Sequence, residues 1–137
     1  MNYNKPLILL KNLPNKLNRF YNKNSKFSLK INNKSKNKKY FDPVTNLDKA
    51  FEIFIRNIIV KEFPDDAILG EEFLEKYSDN GYKWFIDPID GTKSFMVGAP
   101  TWSNLIGLTH KDQPALGLAN FPALNKFYIN DQKKSYL

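Results

Sequence analysis

The chain contains no cysteine. That excludes disulfides, thiolate nucleophiles and zinc sites built on cysteine, and it agrees with a cytoplasmic setting. Histidine occurs once, at His110, in a stretch that reads as a turn and is set aside as a catalyst. Long apolar runs are missing too. None approaches the roughly 20 residues that span a bilayer, so no membrane association is expected. The run Pro6-Leu7-Ile8-Leu9-Leu10 is too short for a signal-peptide core, and no small-residue cleavage site follows it. Acidic residues are absent from the first 41 positions, which hold eleven Lys or Arg. The rest of the chain carries ten basic and fourteen acidic residues, so the net charge of +7 belongs to the N-terminal segment. Blocks of like charge are mostly solvated surface. That reading is preferred to phosphate contact with nucleic acid through Lys34, Lys36, Lys38 and Lys39, and to an organelle-import segment.

What is present suffices for one compact domain. The 137 residues are 42% hydrophobic, enough to build a core. Residues 5–23 show patchy helical spacing through Leu9, Leu13, Leu17 and Phe20, with Pro14 expected to kink or split the helix. Residues 27–31 alternate and read as a short strand, and 32–39 as a polar linker. A stronger helix follows. Thr45 is its expected N-cap, and Asp48 completes a near capping box. Leu47, Ala50, Phe51, Phe54, Ile55, Ile58 and Ile59 then fall on one face, the pattern of a core-packed helix. Strands are expected at 67–69, 82–86, 104–110, 115–120 and 126–130, with a hairpin turn over 110–114. Helices first and an antiparallel sheet after them point to an α+β fold in layers. Residues 1–40 read as a basic helix and linker, and 41–137 as the functional part.

The chemistry concentrates in the stretch Trp84-Phe85-Ile86-Asp87-Pro88-Ile89-Asp90-Gly91-Thr92-Lys93-Ser94-Phe95. Two carboxylates stand three residues apart at the end of an apolar run, and Gly-Thr follows at once. Pro88 restricts itself and the residue before it, so a stiff non-helical turn is expected around Asp87. Glu71-Glu72 follows Gly70 after another strand, and Asp48 lies in the first turn of the strong helix. Singly, these are surface charges, turn formers and a helix-dipole partner. If the two strands are neighbours, their ends bring one glutamate and two aspartates into one crevice. Crowded carboxylates repel one another and favour a bound hard cation such as Mg²⁺, which takes oxygen ligands.

These residues carry a resemblance. Phe41-Asp42-Pro43-Val44-Thr45-Asn46-Leu47-Asp48, Gly70-Glu71-Glu72-Phe73 and the Asp87-Pro88-Ile89-Asp90-Gly91-Thr92 stretch resemble, in order, three motifs of the inositol monophosphatase family. With Gly98-Ala99-Pro100-Thr101-Trp102 the wording is most similar to the bacterial histidinol-phosphatase branch. The resemblance covers roughly residues 41–129. It implies a layered α/β sandwich of the sugar-phosphatase type and a Mg²⁺-dependent phosphomonoesterase. The implied reaction is attack of metal-activated water on a small phosphate ester, best matched by L-histidinol phosphate of histidine biosynthesis. An inositol monophosphatase-like or nucleotide phosphatase, or an inactive truncated fragment, stands as the alternative. By the same resemblance Glu71, Asp87, Asp90 and the carbonyl of Ile89 would bind metal. Asp90, Gly91, Thr92 and Lys93 would bind substrate, and Glu71, Thr92 and Asp48 would act in catalysis. A lysine before the first motif would line the site, with Lys34, Lys36, Lys38 and Lys39 all candidates. The expected partner is a small phosphorylated substrate, with a homodimer as the candidate assembly. Family members are longer and carry a further aspartate in a Trp-Asp motif that has no match here, so the chain reads as their N-terminal part.

Overall fold

A computed structural model describes residues 3–26, 29–36, 40–131 and 134–136. Helix α1 (Asn4–Asn24) opens the fold and buries Leu9, Leu10, Leu13 and Leu17 along one face. Of the kink or split expected at Pro14, the split does not occur, and Pro14 is itself buried within one helix. An interior proline costs about 3 kcal/mol. Burying each neighbouring leucine contributes about 1.5–3 kcal/mol, so packing outweighs that cost.

Two short strands follow, β1 (Ile31–Asn33) and β2 (Pro43–Thr45), paired antiparallel with Ile31 opposite Thr45. The strand expected over 27–31 thus begins only at Ile31, while Phe27 and Ser28 lie outside the described residues. The polar linker starts correspondingly later. Its closure rests on Asn33, whose Oδ1 accepts from Ser35 and Asp42 N–H at 3.0 and 2.9 Å.

Helix α2 (Asn46–Glu62) begins where β2 ends. Both halves of the capping box form: the Thr45 hydroxyl accepts from the Leu47 and Asp48 N–H groups, and Asp48 Oδ2 accepts from Thr45 N–H at 2.8 Å. Leu47, Phe51, Ile55 and Ile59 are buried on its inner face.

The remaining chain forms one sheet. Its strands are β3 (Ala67–Gly70), β4 (Tyr82–Asp90), β5 (Ser103–His110), β6 (Gln113–Phe121), β7 (Lys126–Asn130) and β8 (Ser135–Tyr136), in that spatial order. A short helix, α3 (Thr92–Met96), links β4 to β5. β3 and β4 are parallel, and every other neighbour pair is antiparallel. The β5–β6 turn is tighter than expected. Lys111 and Asp112 alone make it, with φ of 50° and 60°, the two positive values that a type I′ hairpin needs. His110 ends β5 and lies with its ring centroid 4.3 Å from that of Tyr82.

One face of the sheet packs under α1 and α2. Trp84, Ile86, Ile106, Leu108, Leu118 and Ile129 are buried there with the helix leucines and Phe51. The other face carries Leu69, Phe85, Leu105 and Tyr128, all more than a third exposed. The architecture is the expected α+β layering, with one parallel pair added. No helix among the described residues is long and apolar enough to cross a membrane.

Candidate active site

The parallel pair sets the site. Gly70 lies opposite Ile86, so Glu71 and Asp87 come next on adjacent chains. Both line an open trough of about 690 Å³ over the outer sheet face, whose other lining residues are mostly apolar, with Asn130 the polar exception. The expectation that β4 stops before Asp87 needs correction. Asp87 still pairs with Leu105, and pairing resumes at Asp90 with Ser103 after a register shift. Pro88 has no N–H to donate, and it sits in that shift, where no ladder bond is required. The stretch is thus a bulged strand end rather than a free turn.

Asp87 is half-buried, and its Oδ1 is buried with no hydrogen-bond partner. Burial, reinforced by the Glu71 carboxyl beside it and by Asp90 and Asp48, pushes its pKa up to about 7. Asp48 is fully buried and uses both oxygens. Oδ2 caps α2, while Oδ1 lies 3.2 Å from the Thr92 hydroxyl. The same hydroxyl lies 3.1 Å from the Ile89 carbonyl, so one proton has two acceptors. The helix-serving reading of Asp48 and the site reading therefore hold together, one oxygen each. Asp90, Gly91 and Lys93 are exposed at the start of α3. Gly91 has φ of 82°, a left-handed conformation open to glycine at little cost.

Lys34 follows β1 and reaches the acids. Its Nζ donates to Glu71 Oε1 at 2.8 Å and Glu72 Oε1 at 2.5 Å. Burial works to lower its pKa, but the two glutamate hydrogen bonds carry it above the usual lysine range. Burial likewise raises the pKa of Glu72, and Lys34 opposes that shift. Of the other lysines considered, Lys36 is exposed, and Lys38 and Lys39 lie outside the described residues.

Three residues at the site escaped sequence reasoning. Glu52 is fully buried; its Oε2 accepts from Glu72 N–H at 2.6 Å and its Oε1 from Arg56 Nε at 2.8 Å. Arg56 also donates to the Phe73 carbonyl at 3.2 Å. Asn104, fully buried on β5, donates to the Pro88 carbonyl at 2.6 Å and accepts from Asn120 at 3.0 Å. A signal for the first two was available. Asp48, Glu52 and Arg56 recur every four residues, which puts charge along one line of a helix side next to its apolar stripe. Asn104 gave no signal, because its partner is a backbone carbonyl sixteen residues away.

The donor set suits a hard divalent cation: oxygens only, one of them buried and unpartnered, with each acid raising the proton affinity of Asp87. Among the described residues, no group of three or more His, Cys, Asp or Glu is arranged to hold a metal ion as it stands. The chemistry fits Mg²⁺, while the carboxylates have yet to converge on one point.

The sequence pattern of the inositol monophosphatase family matches residues 11–136. The chain belongs to the inositol monophosphatase family. A histidinol-phosphatase of Chlorobaculum parvum is 49% identical over 86 residues, which is 63% of this chain and 33% of that protein. A crystal structure of a staphylococcal IMPase-I complexed with products superposes with a TM-score of 0.86 at 18% identity, over 99% of this chain and 51% of that one. An IMPase/NADP phosphatase complexed with Mg²⁺ and phosphate gives a TM-score of 0.79 at 19% identity, over 93% of this chain and 48% of that one. This inositol monophosphatase family chain therefore spans about a third of the curated relative and half of the solved folds. The family match begins within α1, well before the first of the three motifs.

Proposed function

We propose that this chain supplies the metal- and phosphate-binding part of a Mg²⁺-dependent phosphomonoesterase whose substrate is L-histidinol phosphate, in histidine biosynthesis. The observation that carries the reading is the juxtaposition at the end of the parallel pair. Glu71 and the unpartnered oxygen of Asp87 stand together there, with the Thr92–Asp48 pair beside them. The likeness to a histidinol-phosphatase supports the substrate, and a fold relative crystallised with Mg²⁺ and phosphate supports the metal. Inositol phosphates are the second substrate class, supported by the family and by the IMPase-I fold.

Glu71, Asp87, Asp90 and the Ile89 carbonyl would hold Mg²⁺. When bound, the ion supplies positive charge to the phosphate oxygens and eases ionisation of water. The chain's own groups do the rest. Thr92 donates its proton to Asp48 Oδ1, leaving an Oγ1 lone pair to accept from a water O–H. Asp48 is held in place by its capping bonds, so the pair orients that water and draws on its proton. Gly91 and Thr92 present backbone N–H groups, and Lys93 a positive charge, to the phosphate. Asp90, exposed beside them, faces the leaving group.

The test is a chimaera in which this chain replaces the matching segment of the C. parvum histidinol-phosphatase. Phosphate release is then measured on L-histidinol phosphate, inositol phosphate and nucleotide monophosphates, with and without Mg²⁺. Turnover of L-histidinol phosphate only with Mg²⁺, lost in D87N and T92A, is the expected result. A folded chimaera that releases no phosphate from any of them overturns the reading.

A further inference from the structure

We propose that Glu52, together with Arg56, is a positioning residue that aims Glu71 by clamping the turn from Gly70 to Phe73. The inference rests on the reading of Glu71 as a metal ligand. Glu71 sits in a turn after β3, with no ladder partner of its own among the strand pairings. Helix α2 takes over the holding from behind. Glu52 has no exposed surface and spends both oxygens there: one accepts the Glu72 N–H at 2.6 Å, the other the Arg56 Nε at 2.8 Å. Arg56 then reaches past it to the Phe73 carbonyl at 3.2 Å. A donor and an acceptor of the turn's backbone, one residue apart, are thus tied to two side chains one helical turn apart. Glu71 lies just ahead of the tied peptide, so its Cα–Cβ direction is set by bonds it does not make itself.

Gly70 shows how closely the clamp is fitted. A Cβ built there would lie 2.0 Å from Glu52 Oε1 and 2.4 Å from its Cδ. The carboxylate occupies the space that a side chain at position 70 would need. The backbone at Gly70 thus lies directly against the acid whose two oxygens take the Glu72 N–H and the Arg56 Nε. Lys34, on the other side, binds the side chains of Glu71 and Glu72 and leaves the backbone alone. Glu52 is therefore not replaceable by the lysine.

The substitutions follow from donor and acceptor counting. Glu52→Gln keeps one acceptor but turns the other into an NH₂, so it can serve Glu72 N–H or Arg56 Nε but not both. Glu52→Ala serves neither. Arg56→Gln frees the Phe73 carbonyl and removes the charged partner of Glu52 Oε1, while Oε2 can still accept the Glu72 N–H. Glu62→Gln, on the exposed end of the same helix, is the control. Two measurements are made on the ¹⁵N-labelled chain: exchange of the Glu72 amide, and Mg²⁺ affinity by calorimetry. Partners that orient metal ligands typically change affinity by about 10–100-fold when lost. E52Q and E52A are expected to lower Mg²⁺ affinity about 10-fold or more. E52A should speed Glu72 exchange by about the same factor, and E52Q should do so where its oxygen turns to Arg56, with β5 and β6 amides still protected. R56Q should show a smaller loss, and E62Q none. A merely structural Glu52 would speed exchange across the sheet and leave the affinity of the folded chain alone. If E52A fails to fold, E52Q and R56Q decide. Unchanged Glu72 exchange in E52A, unchanged exchange together with unchanged Mg²⁺ affinity in E52Q, or unchanged Mg²⁺ affinity despite faster exchange in any variant sinks the clamp. If neither the wild-type chain nor the chimaera described above binds Mg²⁺, the phosphatase reading is the one that fails, and the Glu72 amide still judges whether the clamp exists.

Discussion

The two acid-bearing segments leave neighbouring strands side by side, yet they are held by opposite means. The Asp87–Asp90 segment belongs to the sheet. Asp87 pairs with Leu105, Asp90 with Ser103, and Asn104 holds the Pro88 carbonyl between them. Pro88 and Ile89 are buried, so backbone stiffness, pairing and packing all act on the same few residues. The turn after Gly70 has none of this. Side chains distant in sequence hold it: Glu52 and Arg56 from behind, Lys34 from the front. The sheet-bound segment is a rigid reference, and the turn is an adjustable arm trimmed against it. That division explains how the acids can stand close without being gathered as a finished metal site. Lys34 offsets charge repulsion on the glutamate side, while burial and the neighbouring acids raise the proton affinity of Asp87 on the other.

The comparison breaks most severely at Asp87. In the chimaera described above, D87N is expected to cut turnover by more than the about 100-fold typical of outer-shell partners. In the isolated, metal-free chain the same change has the opposite sign. Asp87 has its pKa raised from 3.8 to about 7 by burial and neighbouring acids. A carboxyl raised on folding contributes stability below the unfolded value, and that contribution is lost as pH rises through the folded value. The melting temperature should therefore fall between pH 3.8 and about 7, and D87N should flatten that limb. A flat profile in the wild-type chain, with EDTA present, would contradict it.

Gly70→Ala attacks the adjustable arm. The added methyl meets the Glu52 carboxylate, and overpacking of this kind costs about 1–3 kcal/mol. Urea unfolding should show that loss, together with lower Mg²⁺ affinity. Asn104→Ala attacks the rigid reference. It leaves the Pro88 carbonyl unsatisfied at a cost of about 1–3 kcal/mol, with the larger share of added exchange falling on β5 and residues 87–90. Equal disturbance of both segments by either variant would show that the two are held as one unit. Lys34→Met is the mildest. Its bond to Glu71 is half exposed, but the Glu72 side chain is 3% exposed, so the loss should stay at the low end of the about 1–3 kcal/mol that an unpaired buried acceptor costs. Its readout is a further rise in the Glu72 pKa by NMR titration, because Lys34 now opposes that rise.

Much of the rigid segment and of the start of α2 was legible in advance for one reason: their signals are local. The apolar run, Pro88, the Asp-Gly pair and the Thr45–Asp48 capping box each act within a few residues of themselves. The register shift that lets β4 run on through Pro88 was not legible, since it depends on where β5 lies. The same holds for Pro14, whose helix survives because leucines around it find a core.

Composition, motif order and helix periodicity by themselves determined the family, the α+β layering and the identity of the crowded acids. Only the tertiary structure decided which lysine meets the glutamates, that Glu52 lies beneath Gly70, and that Asn104 ties the Pro88 carbonyl. Those contacts join residues from 16 to 38 positions apart. Partners that far apart are brought together by the burial of a shared core, and nothing in the short-range pattern of either partner encodes the other.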